Sequence, residues 1–358
     1  MNGQNGRTGM QVPVEKDLDF LAARLHGWRS RLAEGDRLDE LCRIRTVGEL
    51  ARRVTPGLAF RHAVHFQRHL IEAHVRELAQ LAARVDGAGG AFLCWQRVRF
   101  QAENLKVIAR GLANRLPLDF VMPHLAVLPG DLALDLAPFA EPGGAPLLDR
   151  LLRMLPPGAL RRALEEAGDR FREATEPFLA ETALDRAYLQ ILLRRAAAVG
   201  GEDGAGVVRL ARHEAGIFNL MLVIRGGRHY HLPPELLRAA CVPGGSLGGE
   251  DFDRLLSAED AESGIRALAR QLDPAGAAGP SPEAPVLEAL AWNRFLKLAN
   301  TLFRRSQMSV GVAIGFAAIR RIELANLITL SEGMRMGLDP QRIRQRLIPR
   351  AVLEVAHV

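Results

Sequence analysis

Lysine is nearly missing from this 358-residue chain: only Lys16, Lys106 and Lys297 occur among 47 basic residues, and the others are arginines. The arginines are spread along the chain and interleaved with Asp and Glu. There is no basic tail, no aromatic stacking motif and no zinc-ligand spacing. The net charge of +6 and pI near 9.8 therefore point to a solvated basic surface or an acidic protein partner, with no nucleic acid. Aromatics make up 5% of the chain, and β-branched residues are sparse, which argues against a sheet protein. The three cysteines, Cys42, Cys94 and Cys241, lie far apart in apolar settings. They form no disulfide framework or metal site and are expected to be buried free thiols. The longest uncharged apolar run, VGVAIGFAAI at 310–319, is too short to cross a bilayer. The first ten residues lack the apolar core of a signal peptide. A soluble chain is expected, with any membrane contact made through another protein. No Gly-x4-Gly-Lys-Ser/Thr phosphate loop and no Gly-x-Ser-x-Gly nucleophile turn occurs.

What is present is helix-forming. Leu, Ala and Arg dominate, and 48% of residues are hydrophobic, enough for a sizeable core. Leu18, Leu21, Leu25, Trp28 and Leu32 recur at three- and four-residue spacing, and Gly35-Asp36 is expected to end that helix. Thr46 and Glu49 form a capping-box pattern ahead of a helix that Pro56-Gly57 closes. Long helices are expected over 58–85, 169–199 and 286–305, broken by DGAGG (86–90), GGEDGAG (200–206) and SQMS (306–309). A second helix follows each, from about 91, 207 and 310.

Each of these second helices carries the same oddity. ENLKVIARG (103–111), NLMLVIRG (219–226) and NLITLSEG (326–333) place Asn-Leu seven residues ahead of a Gly. Asn and Gly are poor helix formers. The three Asn residues are 115 and 107 positions apart, and a Pro follows each Gly after 18, 17 and 16 residues. A short helix fills each interval: 118–127, one from Pro233-Pro234, and one capped by Asp339 with Pro340 in its first turn. Such recurrence means one unit present three times. Asn104 and Gly111, Asn219 and Gly226, and Asn326 and Gly333 each share a helix stripe. An inward Asn can hold a neighbouring loop's backbone. The Gly permits close approach or forms a left-handed C-terminal cap. The charges nearby, Glu103, Arg110, Glu214, Arg225, Glu323 and Glu332, are candidates for an outward partner-binding surface.

The ordered triplication resembles the C-type subunits of the V/A-type rotary ATPases, the family that includes the d-type subunits of the eukaryotic V-ATPase membrane sector. The likeness runs from DFLAARLHGWRSRL (19–32) to the end. It is best in FLAETALDRAYLQIL (178–192), EAGIFNLMLVIRGG (214–227) and FAAIRRIELANLITLSEGMRMGLDPQRIRQRL (316–347). The resemblance implies an all-α, funnel-shaped body of three similar helical domains with pseudo-threefold symmetry. It implies no catalytic activity and no cofactor. It also implies a place on the cytoplasmic face of the membrane, between the central-stalk subunits and the proteolipid ring, coupling their rotation to proton or sodium transport. The segments would be a tail with leading helices (1–57), repeats at 58–145 and 146–272, and a linker with the third repeat (273–358), DPAGAAGPSPEAP (273–285) marking the clearest boundary. A free-standing helical scaffold is the alternative. Glu332, where the other copies carry Arg, departs from a uniform basic ring.

Other constellations are read as structural. His62, His65, His69 and His74 share a helix and are treated as a polar face rather than a metal site. His229-Tyr230-His231 is a connector. GGSLGG (244–249) is expected to be a flexible turn. Trp28, Trp95 and Trp292 are expected to pack in the core, with Trp28 the one candidate for a partner contact.

Overall fold

The computed structural model describes residues 18–141, 145–168, 171, 177–257, 284–306 and 308–349. Helix is their only regular secondary structure, and no strand occurs among the described residues. The boundary segment 273–285 lies almost wholly outside them. Three helices lead: α1 (Leu18–Arg29), α2 (Gly35–Cys42) and α3 (Val47–Val54). Gly35, at φ +54°, opens α2 as well as following α1. Thr46 caps α3, its Oγ1 accepting from the Glu49 amide at 3.2 Å.

The body consists of three helical hairpins: α4 (Ala63–Ala82) with α5 (Gly87–Ala113), α10 (Pro177–Val199) with α11 (Gly201–Met221), and α14 (Ala284–Arg305) with α15 (Val310–Arg335). Between the first two lie short α6 (Leu118–Val121), α7 (Ala137–Ala140), α8 (Leu147–Met154) and α9 (Ala159–Gly168). After the second come α12 (Pro234–Ala240) and α13 (Glu250–Ser257), and after the third comes α16 (Pro340–Arg344). The predicted breaks at DGAGG and GGEDGAG are shorter than expected. α5 starts at Gly87 and α11 at Gly201, so most of those glycines are helical. Two of them admit a neighbouring helix: a Cβ on Gly89 would meet Val310 and one on Gly206 would meet Leu302, so at these positions the residue that weakens helix propensity permits tight interhelical approach.

The hairpins also pack on one another in rotation. α5 lies against α10, α11 against α14, and α15 back against α4. The second helix of each hairpin is thus flanked by two first helices. The core runs continuously through all of them, from Leu25 and Phe66 to Phe303 and Phe316. α1 and α3 pack on α15, and α2 on α16.

Of the three free thiols, Cys42 is buried, Cys241 is half-buried and Cys94 is exposed. The expectation of buried thiols thus fails for Cys94, which faces outward from α5.

Candidate functional site

The repeated Asn is a clamp. Asn104 Nδ2 donates to the Ala126 carbonyl at 2.8 Å, and its Oδ1 accepts from the Ala126 amide at 3.0 Å. Asn326 does the same to Ile348, at 2.6 and 2.9 Å. Asn219 grips Val242 at 3.0 and 2.8 Å, and its amide also donates to the Leu247 carbonyl at 2.6 Å. A carboxamide offers one donor and one acceptor side by side, which is what an extended peptide unit needs. Each clamp is buried, with Asn219 0% exposed. GGSLGG is therefore held rather than flexible: the Ser246 amide donates to the Arg212 carbonyl at 2.7 Å, and Gly216 and Gly245 sit close against this turn and the Asn219 helix.

The motif Gly seats the short helix that follows. A Cβ on Gly111, Gly226 or Gly333 would fall 2.6, 2.6 or 2.7 Å from Val121, Leu237 or Ile343. Close approach is thus the Gly's role, and the left-handed cap comes later, at Arg115 (φ 54°), His231 (φ 52°) and Gly337 (φ 68°). The Leu116 and Leu338 amides return to the Gly111 and Gly333 carbonyls at 2.9 Å, closing a Schellman turn. In the second copy Asn and clamped residue are 23 apart rather than 22. The helix absorbs the extra residue as a π-helical stretch, Leu222–His229.

Five residues before each motif Asn stand Arg99, Glu214 and Arg321. They meet. Glu214 Oε1 accepts from Arg99 Nη1 and from Arg321 Nη1, both at 2.8 Å. One buried carboxylate between two guanidiniums offsets its desolvation by charge-assisted bonds. Burial opposes the Arg99 charge, yet Glu214 and then Glu103 outweigh it and raise its pKa above the ordinary guanidinium value. Arg321 also lies over the Phe295 ring at 4.7 Å and the Trp292 ring at 5.3 Å. The first turns meet as well: Asp203 of α11 accepts from the Gly311 amide of α15 at 2.6 Å.

Beyond the junction a cavity of about 940 Å³ opens between α5, α10, α11 and α14. Glu103, Arg110, Glu214 and Arg225 all line it. Lys106 reaches Asp185 on α10 at 2.6 Å and Glu103 on its own helix at 3.1 Å. Burial works against both ends of the Lys106–Glu103 pair, but the opposite charges prevail, raising the Lys106 pKa and lowering that of Glu103. The mouth carries two exposed pairs: Arg110 to Glu181 at 2.6 Å and Arg225 to Glu288 at 3.4 Å. His229 and Tyr230 lie at its edge, with Tyr230 stacked on Phe178.

Glu323 and Glu332 do not join this site. Glu323 is buried, accepting from the Ala33 amide and from Arg320 at 2.6 Å each, and so ties the leading helices to α15. Glu332 is held by Arg335 on the same helix and by Gln67 at 3.3 Å. The outward surface expected of the six charges is therefore four residues in a cavity, one buried tie and one surface pair. Sequence reading missed Arg99, Lys106, Glu181, Asp185 and Glu288. Aligning the three motifs on their Asn would have exposed the Arg–Glu–Arg set.

The tryptophans differ in setting. Trp95 is buried, donating to the Tyr188 carbonyl at 3.1 Å. Trp292 borders the cavity, and Trp28 lies under Arg24 at 4.5 Å. Along α4, His74 is buried against Phe100, and His69 faces Phe60.

The family model of the ATP synthase (C/AC39) subunit covers residues 21–346. The chain belongs to that family. No curated protein matches it. Membership makes the chain a V/A-type ATPase subunit of the C/d kind. No helix among the described residues is long and apolar enough to cross a membrane.

Proposed function

We propose that this protein is the non-catalytic socket on the rotor axis of its ATPase, receiving the tip of the central stalk and passing torque to the proteolipid ring. The reading rests on family membership together with one observation: a charged cavity lined by helices of all three hairpins at the Arg99–Glu214–Arg321 junction. The three segments 58–145, 146–272 and 273–358 would be three similar domains about a pseudo-threefold axis through that junction, in a funnel-shaped body. The rotation of hairpin contacts and the equal offset of the junction residues support this symmetry.

A torque-bearing socket needs a stiff wall and an adaptable lining. Clamped loops and a continuous core supply the first. The second comes from exposed ion pairs at the mouth, which contribute little stability and can exchange partners for charges on an inserted helical tip. The opposite face would meet the polar loops of the ring on the cytoplasmic side, so membrane contact is made through the ring alone. The chain's basic excess complements acidic groups there.

Charge reversal tests the socket. Arg110→Glu with Arg225→Glu should weaken binding of purified central-stalk subunits by about tenfold or more, with an unchanged melting curve. Unaltered affinity would remove these residues from the stalk interface.

A further inference from the structure

A second pocket, of about 520 Å³, lies between α11, α14 and the clamped turn at 246–247. Arg209, Arg212 and Arg294 line it, and no carboxylate does among the described residues. Its remaining wall is largely aliphatic, including Leu298. His213 is anchored in the wall: one ring nitrogen lies 2.8 Å from the Ala291 carbonyl and the other 3.4 Å from Ser246 Oγ. Burial, with Arg294 adding to it, lowers the His213 pKa against the opposing Ala291 bond. A neutral imidazole then donates to Ala291 and accepts from Ser246.

The chain contains its own control for this arrangement. Arg97 stands seven residues before Asn104, as Arg212 stands seven before Asn219. Arg97 is matched by a carboxylate, Asp131, through bonds of 2.8 and 2.9 Å from one guanidinium nitrogen. Among the described residues Arg212 bonds only a carbonyl, that of Gly244, at 3.0 Å. Asp131 lies five residues past the first clamped residue, Ala126. The position five past the second, Val242, is Leu247, which lines the pocket. An acid built into the first repeat is thus replaced in the second by a pocket with two further arginines.

We propose that this pocket binds a phosphate group carried on a partly apolar molecule. The guanidiniums supply planar, charge-assisted donors suited to a phosphate, and the aliphatic wall takes the body of the ligand. The two sources of that chemistry are a soluble organic phosphate and an anionic lipid headgroup. The proposal does not depend on the socket reading.

The test uses the full chain in two arms: calorimetric titration with pyrophosphate, and flotation with phosphatidylcholine vesicles with or without phosphatidylglycerol. The double variant Arg209→Gln, Arg294→Gln leaves Arg212 and its bond to Gly244 in place. Arg52→Gln with Arg53→Gln on α3 removes equal charge elsewhere. The expected result is binding in at least one arm, weakened about tenfold or more by the pocket variant and little by the α3 variant. Binding of pyrophosphate without vesicles assigns a soluble phosphate, and flotation that requires phosphatidylglycerol assigns a lipid headgroup. No binding in either arm, binding retained by the pocket variant, or equal loss in both variants overturns the proposal.

Discussion

Asn219 shows how much one side chain can organise. It is fully buried, and its carboxamide satisfies three backbone groups in the turn that follows α12. Asn219→Leu keeps the volume but strands those groups in a dry setting. The expected loss is about 1–3 kcal/mol, read from denaturant midpoints. An unchanged midpoint would mean that the clamp contributes nothing to stability. His74 gives a residue-scale prediction in pH. Burial first, then Arg320 and Arg321, hold its pKa well below 6.5, and burial also lowers that of His213. Both therefore take up a proton less readily in the folded state than in the unfolded one. The unfolded state therefore binds more protons below about pH 6.5, and stability should fall as pH drops from 7 to 5. His74→Phe should flatten that slope. A slope identical to the parent's would assign the pH dependence to other groups.

Among elements, the decisive contact joins α5, α11 and α15 at Glu214. Removing its charge leaves two guanidiniums facing each other in a largely buried place. Glu214→Gln should cost on the order of 3 kcal/mol. Adding Arg321→Gln should cost less than it does in the parent, because the two changes share one interaction. Full additivity would show that the junction is not a coupled unit. The elements also show what a single sequence makes legible. The helices, the capping residues Thr46 and Asp339, and the three-fold recurrence follow from local pattern and spacing. Helix starts are harder: Gly87–Gly90 and Gly201–Gly206 read as breaks by propensity, while tertiary packing uses the missing side chains of Gly89 and Gly206 for close approach. The four cavity-lining charges draw notice through proximity to a motif. The acids on α10 and α14 that pair with Arg110, Lys106 and Arg225, namely Glu181, Asp185 and Glu288, carry no local signal, because only the fold brings those helices alongside.

Across the whole molecule, stiffness and charge divide the labour. The hairpins pack in rotation on a shared core, and the loops that leave the second helices are pinned by Asn. Ion pairs grade from the buried Glu214 junction to exposed pairs at the cavity mouth. On the socket proposal, that gradient suits a body that transmits torque yet releases its partner: the junction carboxylate Glu214 is buried in the cavity lining, and the exposed arginines stand at its mouth. The most direct measurement is a mild-detergent purification of the tagged protein from its native membranes, with co-purifying chains identified by mass spectrometry. The socket account predicts recovery of a proteolipid ring together with stalk and catalytic-head subunits. Recovery of the protein alone from the soluble fraction, with the rotary complex intact elsewhere, would contradict it and point to a free-standing scaffold.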